Sequence, residues 1–275
     1  MGRLTLDAAR SATALQSACE GGYGDACAWR GAQLDRAEAG PDQLLQARAL
    51  YERGCTARSG VACGALGRTL NPGRIGAPDP ARALEVFTRA CELRDAPSCT
   101  AAAGLQRGPG ALQRDDVRAR HLLRLACDLG DLDGCVGHAQ MLELGQGGGL
   151  DQTSSLAAYR LACDQGQGLA CFHVAGQLKR GRGTSPDAGG AARFLERACA
   201  SHYPAACNEA ATALAAESPT RAATLLSVGC VDNDGASCAA LSAQYQSGDG
   251  VPQDEAAAVA LQARACRLGE RDSCH

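Results

Sequence analysis

The stretch CDQGQGLACFHVAGQLKRGRGTSPDAGGAARFLERAC (residues 163–199) holds one full period of this chain. Two cysteines stand eight residues apart, Cys163 and Cys171, and a third, Cys199, follows after 28 more. Outward in both directions the spacing recurs. The cysteines are Cys19, Cys27, Cys55, Cys63, Cys91, Cys99, Cys127, Cys135, Cys163, Cys171, Cys199, Cys207, Cys230, Cys238, Cys266 and Cys274. Every short gap is 8 and every long gap is 28, except the 23 between Cys207 and Cys230. The period is therefore 36 residues with one five-residue deletion. Self-similarity at such a period means a repeat architecture and overrides the usual guess from length.

The columns around the cysteines spell two helices. Twelve residues before the first Cys of a pair stands a short oxygen-bearing side chain: Asp7, Asp79, Asp115, Asp151, Asp187, Asp254, and Ser218 in the shortened unit, with Gln43 beside Asp42 as the exception. Such a side chain accepts from the orphan N–H groups of a first helical turn, and a carboxylate complements the dipole. Four before the Cys is a large apolar residue (Leu15, Tyr51, Phe87, Leu123, Tyr159, Leu195, Leu226), with Gln262 as the outlier. Eight before is Ala or Ser. These positions share one face of a helix, here called helix B. Helix A begins around the second Cys. Four residues after it is a small side chain (Gly31, Gly67, Ala103, Ala139, Ala175, Ala211, Ser242), and seven after is mostly Leu, with Gln106 breaking the column. Small residues mid-helix admit a close neighbour, which offsets the roughly 1 kcal/mol that Gly costs in helix propensity. Between A and B lie turns such as Gly145-Gln146-Gly147, Gly181-Arg182-Gly183 and Gly248-Asp249-Gly250-Val251-Pro252, whose glycines supply positive φ.

An all-α chain of stacked antiparallel helix pairs follows, each pair touching mainly its neighbours. The spacing predicts one repeat domain over 1–275: a leading helix over about 3–19, pairs over about 24–56, 60–92, 96–128, 132–164, 168–200, 204–231 and 235–267, and a stub over 268–275. Thin seams of Leu and Ala explain why aromatics are only 3% of the chain.

Tyr245-Gln-Ser-Gly248-Asp-Gly250-Val251-Pro-Gln-Asp254, within this period, resembles the Sel-one-like repeat family, relatives of the tetratricopeptide repeat. The paired cysteines resemble those of its cysteine-rich branch, the Helicobacter cysteine-rich proteins. The resemblance implies a right-handed α-solenoid, one disulfide per repeat from the end of helix B to the start of the next helix A, and a bacterial protein–protein adaptor. A β-lactamase or penicillin-binding label travels with that branch and is the alternative reading. The unit between Cys207 and Cys230 departs from the pattern by losing its Gly-x-Gly turn.

Three readings of the cysteines stand beside this. As disulfides, each would close a short loop worth roughly 2.5 kcal/mol in the chain-entropy model. As metal ligands they lack the close C-x₂₋₄-C spacing that zinc sites favour. As free thiols they would behave as small buried apolar groups, yet Ala or Val would serve there and neither column is ever substituted. Disulfides would place the protein in an oxidising compartment, periplasmic or extracellular. No secretory signal is visible in Met1–Arg10, so the expectation is a mature or trimmed chain, or an export route not visible here.

The net charge of −3 excludes a broad basic footprint for nucleic acid. No apolar run approaches the roughly 18–20 residues of a membrane span. Ser-x-x-Lys is absent: Lys179 is the single lysine, and Gly176 stands three before it. His121, His138, His173, His202 and His275 are isolated in sequence, although His138 and His173 occupy nearby helix A positions in adjacent repeats. Neither a catalytic residue, a metal nor a cofactor is expected. Binding fits better. By the resemblance, helix A lines the concave side, and positions two and six after its Cys are free to face a partner. Those include Trp29, Gln33, Thr69, Met141, His173, Gln177, Glu209 and Gln244. The mix suits a peptide or extended segment. Trp29, with Arg30 beside it, is a natural anchor type; covering the N-terminal end is its competing role. Helix B over Asp254–Cys266 has no following helix A, and self-association through it is a further expectation.

Overall fold

The computed structural model describes residues 2–71, 77–108 and 114–274, with side chains from residue 11 onward. Among these residues there are fifteen α-helices and no strand. The leading helix is α1 (Gly2–Glu20). Helices A are α2 (Gly24–Leu34), α4 (Gly60–Leu70), α6 (Ala96–Arg107), α8 (Leu132–Leu144), α10 (Gly168–Arg180), α12 (Pro204–Leu214) and α14 (Gly235–Ser247). Helices B are α3 (Pro41–Thr56), α5 (Pro80–Glu92), α7 (Asp116–Asp128), α9 (Gln152–Asp164), α11 (Ala188–Ala200), α13 (Pro219–Val231) and α15 (Glu255–Arg267), followed by a 3₁₀ turn, Arg271–Ser273.

Two compact units result, Met1–Met141 with Gly145–Gly149 and Leu142–Leu144 with Leu150–His275. In the first, α1 to α7 pack each on the next, and α2 also touches α4, and α4 touches α6. In the second, α9 to α15 do the same, with α12 on α14 and α11 on α13. Within each unit, successive helices pack in series, and these four pairs add contacts one repeat apart, as in a linear array.

The seams are built from the expected columns. The large residues four before Cys (Tyr51, Phe87, Leu123, Tyr159, Leu195, Leu226) are buried. The small residue four after Cys in helix A meets the large one of the following helix B. A Cβ on Gly31 would lie 2.5 Å from the Tyr51 ring, and one on Gly67 would lie 2.5 Å from the Phe87 ring. Glycine is needed there because the ring occupies the place of a methyl group. Gln106 takes a buried Leu position, and its amide oxygen has no hydrogen-bond partner.

Five of the expected caps bond as the sequence predicts. The carboxylates of Asp79, Asp115, Asp151, Asp187 and Asp254 accept from N–H groups three residues on, at 2.7–3.0 Å. Two expectations need correction, at Asp7 and Ser218. Asp7 lies inside α1, which already starts at Gly2. At the exception, Gln43, the cap of α3 is Gly40, whose N–H donates to Gln43 Oε1 at 3.2 Å. Ser218 caps α13 in position but makes no side-chain bond.

The Gly-x-Gly turns dock on the preceding helix B. Gly147, Gly183 and Gly250 all have positive φ, and a Cβ on them would lie 2.1–2.3 Å from the carbonyl oxygens of Asp116, Gln152 and Pro219. Those three residues open α7, α9 and α13.

Candidate functional site

The eight junctions from helix B to helix A share one construction. Cys19–Cys27, Cys55–Cys63, Cys91–Cys99, Cys127–Cys135, Cys163–Cys171, Cys199–Cys207, Cys230–Cys238 and Cys266–Cys274 are disulfides with Cα–Cα distances of 4.4–4.9 Å, and no free cysteine is left. Three residues after the first Cys the backbone turns left-handed, at Gly22, Arg58, Arg94, Gly130, Gly166, His202, Asn233 and Gly269. The N–H of that residue donates to the Cys carbonyl, and the next N–H donates to the carbonyl just before the Cys, for example Arg94 to Cys91 and Asp95 to Ala90. This pair of bonds is a Schellman motif, which satisfies the last carbonyls of helix B. It also reverses the chain so that the second Cys faces the first.

Arginines two residues before the first Cys link successive B helices. The Arg53 guanidinium donates to the Glu20 carbonyl at 3.0 Å, Arg197 to the Cys163 carbonyl at 3.1 Å, and Arg264 to the Val231 carbonyl at 3.3 Å. A cation at the negative end of the preceding helix suits the dipole.

The clearest surface feature is on α2. Trp29 is 55% exposed and Tyr23, at the start of that helix, is 71% exposed. Arg30 and Gln33 are half-buried, and an Arg30 N–H donates to Gln33 Oε1 at 3.2 Å. Gln33 also lines a cavity of about 430 Å³ with Leu34, Arg36, Ala37, Glu38, Ala39 and Gln43. Trp29 and Gln33 are four apart, on one helix face.

The other expected positions divide. Glu209 is exposed and pairs with Lys179 at 2.7 Å. Gln244 is half-buried, its amide oxygen buried without a hydrogen-bond partner. Thr69, Met141 and Gln177 are 2%, 0% and 1% exposed, so they do not line an accessible surface. The cause is visible at Gln177, whose amide donates to Ser155 Oγ at 2.9 Å. Ser155 belongs to the small column of helix B, and the room left by that column is filled by position six of helix A. Thr69 spends its hydroxyl on the Leu66 carbonyl at 2.7 Å, and Met141 packs into the core.

His173 is half-buried and stacks on Tyr159, with ring centroids 4.6 Å apart. The Tyr159 hydroxyl donates to Glu143 Oε2 at 3.2 Å, and Arg182 pairs with Glu143 Oε1 at 3.1 Å. Burial and the Glu143 carboxylate push the Tyr159 hydroxyl well above the ordinary phenol range. Burial also holds His173 below its usual value, as does Arg180, against the pull of Glu143. His138 is lowered by burial and by Arg120 and Arg124. The two histidines lie in different units, and among the described residues no group of three His, Cys, Asp or Glu side chains is arranged to hold a metal. His275 lies outside the described residues. No helix of the described residues is long and apolar enough to cross a membrane.

The Sel1 repeat family model matches residues 60–95, 97–131, 155–203 and 235–270, together more than half of the chain. The chain belongs to the Sel1 repeat family. Its Sel1 repeats superpose on a protective antigen of uropathogenic Escherichia coli with an SLR fold, at a TM-score of 0.78 and 20% identity over 94% of this chain. The match spans 57% of that protein's length. A Sel1 repeat protein from Oxalobacter formigenes matches at a TM-score of 0.57 and 20% identity, over 95% of this chain and 87% of its own. At these identities the likeness is one of fold. No curated protein matches in sequence. The unit between Cys207 and Cys230, with its five-residue deletion, falls outside the matched Sel1 repeats. Sel1 repeat proteins generally mediate protein–protein interactions.

Proposed function

We propose that this Sel1 repeat protein is a non-enzymatic adaptor, working outside the cytoplasm and holding a peptide segment of a partner protein against the Trp29 face. The observation that carries the reading is the disulfide at every one of the eight junctions. Bonds of this kind persist in oxidising compartments, and a staple at each turn keeps a thin array rigid, which lowers the entropy cost of binding. The Trp29 face supplies an exposed aromatic anchor, a residue type enriched at interface hot spots, one helical turn from Gln33 at the cavity. We also propose self-association through α15, which carries the exposed Val259; a monomer by light scattering at high concentration would remove that part.

The test is affinity capture from the source organism's envelope fraction, with wild type and a Trp29→Ala/Gln33→Ala variant side by side. A partner held by wild type and lost by the variant supports the reading. Equal capture by both moves the site elsewhere. Saturable turnover of nitrocefin by the purified protein would replace the adaptor with the β-lactam-hydrolysing alternative.

A further inference from the structure

One helix A carries a combination that no other repeat has. Two, five and nine residues after its cysteine stand His173, Gly176 and Arg180. The columns that build the seams recur from repeat to repeat, whereas this set occurs once, so the fold does not require it. At 3.6 residues per turn the three positions share one stripe of α10, and none of them is buried. Helical side chains lean toward the N-terminus, so Arg180 lies back along the stripe. A Cβ on Gly176 would lie 3.0 Å from Arg180 Nη2, and the guanidinium is close enough to act on the His173 ring. Among the described residues, neither the His173 ring nitrogens nor the Arg180 guanidinium has a hydrogen bond or an ion pair. The ring is fixed all the same. It stacks on Tyr159, and Phe172 stands edge-on to it with centroids 6.4 Å apart. The neighbouring charges are engaged: Glu143 holds the Tyr159 hydroxyl and Arg182, and Lys179 holds Glu209.

We propose that His173 and Arg180 form a binding site for a carboxylate attached to an apolar body. Arg180 meets the charge with its planar fork of donors, and the neutral His173 ring donates its one N–H to a carboxylate oxygen. A single negative charge fits better than a phosphate dianion. Only one guanidinium is unspent, and the Glu143 carboxylate acts on His173 from the other side, where it would repel a second charge. The apolar body is met by Leu169, one turn before His173 on the same stripe, and by Phe172, whose ring also touches Tyr203 at 5.0 Å. Few polar groups set in apolar walls is the usual make-up of a ligand site. The site belongs to the second unit and Trp29 to the first, so this proposal and the adaptor reading rest on different residues.

A free carboxylic acid and the C-terminal residue of a polypeptide both offer this chemistry. The experiment therefore titrates the oxidised full chain with 3-phenylpropionate, with N-acetyl-Gly-Gly-Phe, and with the amide of each. Binding is followed at the imidazole resonances of His173, assigned with His173→Gln, and affinities are measured by calorimetry. The expected result is a saturable shift of the His173 resonances with at least one acid and none with its amide, and the tighter acid names the source. Arg180→Gln and His173→Gln should each weaken that acid by about tenfold or more, the worth of a hydrogen bond to a charged group. Gly176→Ala, a better helix former, should keep the fold and also weaken binding, because its methyl group displaces the guanidinium. Arg193→Gln, at an exposed arginine on α11, should bind as wild type does. Amides that bind as tightly as the acids, an affinity unmoved by Arg180→Gln, or His173 resonances that neither acid shifts would overturn the proposal.

Discussion

The junctions from B to A and the connections from A to B are built from the same repeats, and they treat length in opposite ways. Every junction keeps its eight-residue spacing, its left-handed residue and its two hydrogen bonds. The connections absorb change. Between α10 and α11 residues 181–187 intervene, and between α12 and α13 only 215–218. The connection is three residues shorter there, and α12, at 11 residues, is two shorter than α10, at 13. Together these account for the five-residue deletion. The lesson is that a disulfide and a Schellman motif demand one geometry, whereas a turn between two helix ends needs only to span the gap.

Moving the same insertion between the two regions gives the largest predicted contrast. Two extra residues between Cys163 and Cys171 should lower stability by about 3 kcal/mol or more, by spoiling the turn and straining or losing the staple. Two extra residues within 215–218 should cost under about 1 kcal/mol, since loop entropy grows slowly with length. Urea unfolding midpoints under oxidising conditions would compare them, and equal losses would break the contrast. Tolerance in the connections has a limit at the docking glycines. Gly183→Ala should cost about 2 kcal/mol, because the residue has positive φ and its Cβ would lie 2.3 Å from the Gln152 carbonyl oxygen. A midpoint unchanged by that substitution would show that the turn floats free of α9.

Within the junctions the left-handed site should respond with the opposite sign. Arg94 sits there at φ 68°, a conformation costly for a side chain with a Cβ. Arg94→Gly should raise stability by about 0.5–1 kcal/mol after the added unfolded-state entropy is allowed for. The smallest effect is expected from pH. Burial lowers the folded-state values of His138 and His173, so below about pH 6.5 the unfolded chain binds more protons than the folded one. Stability is therefore full above that pH and falls as the solution is acidified through the lowered values. A double His138→Gln/His173→Gln variant should flatten the slope.

Much of this was legible in the cysteine column alone. The columns four and eight before the Cys and four after it foretold the seams, because each needs one size of side chain at one helical spacing. Position six is buried at Thr69, Met141 and Gln177. Counting 3.6 residues per turn places it beside position two, but helix A is flanked by both neighbouring B helices, and the small column opposite draws position six inward. The left-handed sites were hidden for a different reason. Glycine marks only half of them, and Arg58, Arg94, His202 and Asn233 hold the same backbone shape without announcing it. The Trp29 face was visible as a lone Trp; the cavity next to Gln33 depends on how the segment 35–40 folds back, which no spacing rule states.

The central claim is that every junction is closed by its own local disulfide. Peptide mapping without reductant, on protein alkylated at harvest from its native compartment, tests it most directly. The account predicts eight linked pairs, Cys19–Cys27 through Cys266–Cys274, each joining cysteines eight residues apart. Pairs that cross between repeats, or a chain recovered with its buried cysteines such as Cys91 and Cys99 alkylated as free thiols, would contradict it.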